Sequence, residues 1–158
     1  KLMDLKQLYQ DIILEHGKSP RNLGKCEGYN HDAKGYNPLC GDKVHVYLQL
    51  DSGKKVKGLT FEGEGCAISL ASASIMTELV KGKSIGETKD IMKSFLEMIK
   101  NNSEILSNHL DDEQKTKLMS LSGVKQFPMR VKCATLSWHT LISALEGKKE
   151  EINSESID

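Results

Sequence analysis

Three cysteines and one aspartate are the residues of this chain whose types and positions could do metal chemistry. Cys40 lies in the turn sequence Asn-Pro-Leu-Cys-Gly-Asp, and Asp42 follows it two residues later. Cys66 directly precedes a predicted helix, and Cys133 lies at the start of another. A helix N-terminus favours the thiolate, which is the form of cysteine that binds metal or acts as a nucleophile. Three sulfurs and one carboxylate oxygen are enough for a closed tetrahedral zinc site.

The spacing of these residues does not by itself identify a metal site. Cys40 and Cys66 are separated by 25 residues, Cys66 and Cys133 by 66, and the chain has no Cys-X-X-Cys pair. Three unrelated buried thiols therefore stay open as an alternative interpretation. Cys26, in a loop region, is expected to be a spare thiol. The histidines are not spaced as ligands and are expected at helix ends, in loops or on exposed faces: His16, His31, His45, His109 and His139.

Hydrophobic periodicity predicts the elements that must position the four candidates. Helices are predicted over 5–16 with Gly17 as the C-cap, 67–81, 84–99, 111–121 and 133–145. A short edge strand is predicted within 28–36, and a hairpin is predicted from strands 44–50 and 55–62, with a bulge near Gly58. Phe127-Pro128 is expected to force an extended approach to the last helix. The small residues Ala71–Ser74 favour close helix packing beneath the metal site.

These elements predict an α+β fold in which a small antiparallel sheet of about three strands packs with helices. The four candidate ligands are expected to converge at one end of it. Residues 1–146 are expected to form a single domain. The charged, apolar-poor segment 147–158 is expected to be a frayed tail.

Composition narrows the class of protein. The chain has 158 residues, 38% of them hydrophobic, with 22 basic and 22 acidic side chains. That balance does not favour nucleic acid as a partner, and no apolar run is long enough for a membrane span. A secretory signal is not visible, so we expect a cytoplasmic protein with free or metal-bound thiols. The opening Lys1-Leu2-Met3 suits either a native start at Met3 behind two added residues or an internal fragment.

Three motifs together resemble the U-type iron-sulfur cluster assembly proteins, the family that includes IscU, SufU and the N-terminal part of NifU. The motifs are NPLCGD, GEGCAISLASAS and FPMRVKCATLSW, and the likeness runs from the first helix to Trp138. In that family, the residues matching Cys40, Asp42, Cys66 and Cys133 bind a single metal or a nascent cluster. The resemblance therefore implies zinc, or an iron-sulfur cluster, at these four positions.

Two departures favour the SufU branch of the family. The IscU branch has a histidine directly before its last cysteine and a Leu-Pro-Pro-Val-Lys segment that docks a chaperone. This chain has Lys132 and the sequence FPMRVK instead, and a longer separation between Cys66 and Cys133.

The SufU resemblance implies a zinc-dependent sulfur acceptor that takes persulfide sulfur from a SufS-like cysteine desulfurase at Cys40. A desulfurase histidine would replace one zinc ligand before transfer, and downstream iron-sulfur assembly machinery would receive the sulfur. A scaffold for a [2Fe-2S] cluster is the alternative, and a purely structural zinc site is a third. Three thiolates and a carboxylate around a divalent ion leave excess negative charge, so Arg130, Lys132 and Lys43 are candidate supporting cations.

Overall fold

The computed structural model describes residues 4–148 and 151–156, and it has an α+β fold, which confirms the predicted class. Its α-helices are α1 Leu5–Lys18, α2 Ala67–Val80, α3 Ile85–Asn101, α4 Asp112–Ser120 and α5 Val131–Leu145. Its strands are β1 His31–Asn37, β2 Asp42–Leu50, β3 Val56–Glu64 and β4 Ile152–Asn153. The expectation about Lys1-Leu2 lies outside the described residues. No helix within them is long and apolar enough to cross a membrane.

The strands form one sheet in the order β3-β2-β1-β4. β2 is antiparallel to both β1 and β3, whereas β4 runs parallel to β1. Helices α2 and α5 pack against the sheet. Val44, Val46 and Leu48 are buried in the core as the alternation along β2 predicts.

The predicted irregularity near Gly58 is present. The β2–β3 register shifts between Gln49 and Leu50, where Gly58 and Val56 are the partners. Because one extra residue is inserted, Val56 returns to the buried side although it is out of phase with Leu59. The hairpin thereby keeps its apolar side continuous.

Helix α1 continues through Gly17, the residue that was expected to cap it, and its C-cap is Ser19. A Cβ built on Gly17 would lie 3.2 Å from the Cβ of Ala67. Gly17 therefore allows α1 to lie close to the start of α2, and it does not end the helix.

The small residues of α2 pack closely against both flanking helices, as predicted. Ser72 Oγ donates to the Ala134 carbonyl of α5 at 2.5 Å and accepts from Trp138 Nε1 at 3.0 Å. On the other side, Ser74 Oγ is 2.8 Å from Nδ1 of His16 in α1. His16 lies in the last turn of α1, as expected, but it is only 1% exposed. The partner of this hydrogen bond is 58 residues away in the sequence, so no local pattern indicates that His16 is buried.

Two further expectations differ from the structure. The approach to α5 is not extended, because two 3-10 turns, Leu121–Gln126 and Pro128–Arg130, lead into it. Pro128 occupies the first position of the second turn, where proline has no N–H to lose. Helix α5 consequently begins at Val131, two residues before Cys133.

The tail is also not frayed throughout. Ile152–Asn153 forms the fourth strand of the sheet, and a 3-10 turn follows at Ser154–Ser156. A two-residue strand joined by backbone pairing gives almost no hydrophobic signal, so sequence periodicity cannot detect it. The sheet accordingly has one strand more than the three expected.

Candidate metal centre

Cys40 lies on the short turn that connects β1 to β2. The last residue of β1, Asn37, pairs with the first residue of β2, Asp42. The Gly41 N–H donates to the Asn37 carbonyl at 2.8 Å, and Gly41 has φ +74°. Glycine is suited to that left-handed conformation. The turn thus presents a partly exposed thiol next to a fully buried carboxylate.

Two hydrogen bonds fix the Asp42 carboxylate. Asn37 Nδ2 donates to Asp42 Oδ2 at 3.0 Å, and the backbone N–H of Cys66 donates to Asp42 Oδ1 at 2.9 Å. Gly65 allows the second bond, since it has φ +140° and a Cβ there would overlap Asp42 Oδ1. The β1–β2 turn and the start of α2 are therefore joined through this carboxylate.

The predicted ligands meet at one end of the fold. Ligand atoms of Cys40, Asp42 and Cys133 all lie within 4.8 Å of one another, and the sulfurs of Cys40 and Cys133 are 3.2 Å apart. Cys66 lies beside this group and shares a hydrogen bond with Cys133. This donor set suits zinc or an iron-sulfur cluster. Cys66 as the fourth ligand stays a prediction.

The thiols differ in acidity. A hydrogen bond from Cys133 lowers the pKa of Cys66 to about 6, and the backbone N–H groups at the start of α2 add to this effect against the opposing influence of burial. The same bond, together with burial, raises the pKa of Cys133, which has no exposed surface. Cys66 is therefore the first of this pair to become a thiolate, as expected of the N-cap residue of a helix.

Of the three candidate cations, Arg130 reaches the thiols. Negative charge on Cys66 and then Cys40, with a hydrogen bond to Cys66, raises the pKa of Arg130. Lys43 instead pairs with Glu64 at 3.9 Å, and Lys132 pairs with Glu155 at 3.5 Å. Of these three cations, Arg130 is the one that faces the thiols, and its supporting role stays a prediction.

Cys26 is buried away from this arrangement. Its sulfur donates weakly to the Glu27 carbonyl and packs against the backbone of Gly58 in β3. These contacts are consistent with the spare structural thiol that the sequence predicts.

Sequence reasoning missed Asn37, Gly65 and Ser154. Asn37 also donates to Cys133 Sγ at 3.4 Å, and its own Oδ1 accepts from Ser154 Oγ at 2.7 Å. Only Gly65 left a signal, the Gly-Glu-Gly run before Cys66. The Asn37–Ser154 contact joins residues 117 apart and has no local pattern.

An α+β fold that brings three thiols and a buried carboxylate to one end defines a class of thiolate-rich metal-binding proteins. The chain belongs to the family described as the NifU-like N terminal domain, whose profile matches residues 8–144.

Similar proteins include both branches of that family. The chain is 42% identical over 139 residues to the zinc-dependent sulfurtransferase SufU of Bacillus subtilis, with 87% of this chain and 89% of the relative covered. It is 36% identical to the iron-sulfur cluster assembly scaffold protein IscU of Thermotoga maritima, with 91% and 96% covered.

The fold agrees with solved structures. A putative iron-sulfur cluster assembly scaffold protein for the SUF system from Fervidobacterium islandicum superposes with a TM-score of 0.76 at 35% identity. That comparison covers 88% of this chain and 97% of the other. The resemblance stated from three motifs therefore extends over most of the chain.

Proposed function

We propose that this protein works in iron-sulfur cluster assembly as a zinc-dependent sulfur acceptor, taking persulfide sulfur at Cys40 from a SufS-like cysteine desulfurase. Cys40, Asp42, Cys66 and Cys133 would hold the zinc. When bound, zinc would keep the thiolates deprotonated. The similarity to a protein named as a zinc-dependent sulfurtransferase supports this proposal.

The observation that carries the choice of Cys40 is its place on a turn. Cys133 is fully buried within α5, and the backbone of Cys66 is held by Asp42 at the start of α2. Cys40 and Cys66 are both partly exposed, but of the three only Cys40 lies in a turn between two strands. A thiol on a turn can meet a second protein with less rearrangement than one on a packed helix.

The transfer step is a thiol-persulfide exchange. The Cys40 thiolate attacks the outer sulfur of the desulfurase persulfide, the donor S–S bond breaks, and a new S–S bond forms on Cys40. The donor cysteine leaves as a thiolate, and the outer sulfur keeps its proton. No electrons are gained or lost overall.

The surface around Cys40 suits a protein partner. Leu39 and Met129 are 53% and 67% exposed. Leu39 adjoins Cys40, and Met129 adjoins Arg130, which reaches Cys66. Exposed apolar side chains beside a reactive group favour docking of another protein. Because the thiols must stay reduced to react, we place this activity in the cytoplasm.

The test uses the zinc-loaded protein with a cysteine desulfurase and free cysteine. Mass spectrometry of the trapped protein should show one added sulfur on the peptide containing Cys40. Cys40→Ser should abolish acceptance, while Cys26→Ser should behave as the parent protein. Sulfur found chiefly on Cys66 or Cys133 would contradict the assignment.

A scaffold for a [2Fe-2S] cluster is the second candidate, favoured by the similarity to a protein named as an IscU scaffold. Metal analysis of protein purified without added metal separates the two. A colourless protein with one zinc supports sulfur transfer, whereas a brown protein with iron and sulfide supports the scaffold.

A further inference from the structure

The end of the described chain returns to the metal centre. Residues 152–156, here called the C-terminal clasp, lie alongside β1: Ile152 pairs with Gly35 and Asn153 with Tyr36. The next residue of β1, Asn37, directly precedes the turn that carries Cys40. The clasp therefore ends beside the residues that would hold the metal.

A buried chain of hydrogen bonds connects the clasp to two candidate ligands. Ser154 Oγ donates to Asn37 Oδ1 at 2.7 Å. Asn37 Nδ2 in turn donates to Asp42 Oδ2 at 3.0 Å and to Cys133 Sγ at 3.4 Å. Ser154 is 2% exposed, and Asn37 and Asp42 have no exposed surface. In such surroundings each of these bonds is shielded from competing water.

The hydroxyl of Ser154 completes the hydrogen bonding of the Asn37 amide in the orientation that Asp42 requires. A carboxylate only accepts hydrogen bonds, so the amide nitrogen of Asn37 must face Asp42. The amide oxygen then points away from the ligands and requires a donor. Ser154 supplies that donor. A flipped amide would instead place the Asn37 oxygen against the Asp42 carboxylate, and both of these groups only accept hydrogen bonds.

We propose that the clasp is a positioning device for the metal centre, in which Ser154 orients Asn37 and Asn37 orients Asp42 and the Cys133 thiolate. Partners that orient metal ligands raise metal affinity. Since such coupling is reciprocal, bound metal also strengthens docking of the clasp. This proposal depends on the metal-binding part of the proposed function and not on sulfur transfer.

The first test measures zinc affinity by competition with a chromophoric chelator. Ser154→Ala should weaken zinc binding about tenfold, which is typical when a residue that helps to orient a metal ligand is replaced. Ser154→Thr keeps the hydroxyl and should restore most of the affinity. Glu155→Gln is the matched control, because it removes only an exposed ion pair from the same clasp to Lys132, and it should stay within about twofold of the parent.

A second measurement separates positioning from general stability. Cobalt substituted for zinc should show altered ligand-field bands in Ser154→Ala, whereas a merely structural role would lower the melting temperature without changing those bands. Hydrogen exchange of residues 152–156 should be faster after zinc is removed. An affinity of Ser154→Ala within about twofold of the parent, or exchange that is independent of zinc, would overturn the proposal.

The outcomes also distinguish the two proposals. A protein that binds no zinc contradicts both. A protein whose zinc affinity depends on Ser154 but that accepts no sulfur at Cys40 contradicts only the sulfur-acceptor function.

Discussion

Gly65 is the residue at which a single methyl group would do most damage to the metal centre. A Cβ there would overlap Asp42 Oδ1, and its φ of +140° is strained for any other residue. We expect Gly65→Ala to lower the free energy of unfolding by about 3 kcal/mol, combining backbone strain with overpacking. Chemical denaturation measures this value.

Gly86 provides the control for that substitution. It lies in the first turn of α3, and a Cβ built on it meets nothing within 4 Å. Gly86→Ala should leave the protein as stable or slightly more so, since alanine favours helix. Equal effects at the two glycines would show that Gly65 does not hold Asp42 in place.

Arg130 is the cation that the structure brings to the thiols. Arg130→Gln should slow sulfur acceptance roughly fivefold, because an exposed cation gives modest stabilisation of a nearby thiolate. The rate of Arg130→Lys should lie between those of the parent and Arg130→Gln, since lysine keeps the charge without the forked donors. The measurement is the rate of persulfide formation with a cysteine desulfurase.

Lys43→Gln is the matched comparison for Arg130. Lys43 is next to Asp42 in sequence, but its partner is Glu64. Its removal should change the rate by less than about twofold. A similar loss in both variants would mean that overall positive charge, and not contact with Cys66, assists transfer.

At the scale of elements, one serine of α2 links that helix to α5. Ser72 Oγ bonds both the Ala134 carbonyl and Trp138 Nε1. Ser72→Ala would leave the buried indole N–H without its partner, so the free energy of unfolding should fall by about 2 kcal/mol. Thermal or denaturant unfolding measures the loss.

A second buried serine makes this prediction specific. The hydroxyl of Ser143 in α5 has no hydrogen-bond partner among the described residues. Ser143→Ala should therefore be neutral or stabilising, since it removes an unpaired polar group. If Ser143→Ala costs as much as Ser72→Ala, volume and not hydrogen bonding governs packing between these helices.

Elements with a strong local pattern were predictable from the sequence. The Ser84–Glu87 capping box starts α3 as expected, and the alternation along β2 identifies its buried side. The family motifs located Cys40, Asp42 and Cys133. What the sequence could not provide were long-range polar contacts, such as Ser154 with Asn37 and His16 with Ser74. These depend on the assembled fold and not on any nearby residue.

At the scale of the whole molecule, burial of neutral histidine makes stability depend on pH. Burial, and then the charge of Lys100, lower the pKa of His139 to about 4. The unfolded chain binds this proton near pH 6.5, so the free energy of unfolding should fall as the pH drops from about 6.5 toward 4. Above about pH 6.5 the contribution of neutral His139 to the free energy of unfolding is fully present.

His139→Gln tests this dependence. Between pH 7 and 4.5 the parent should lose about 1–2 kcal/mol more stability than the variant, a value reduced for partial exposure to solvent. His16 and the metal ligands are present in both proteins, so their contributions cancel when the stability of the variant is subtracted from that of the parent. Parallel curves for the two proteins would assign the acid sensitivity to other groups.

The order of the ligands along the chain has a consequence for how the protein is made. Cys40, Asp42 and Cys66 leave the ribosome well before Cys133, and Ser154 follows later still. Contacts between residues so far apart form late in folding because long loops must close first. A growing chain therefore carries reactive thiols before it has a complete metal centre. We expect stable metal uptake only after α5 has been synthesised and has packed against β1.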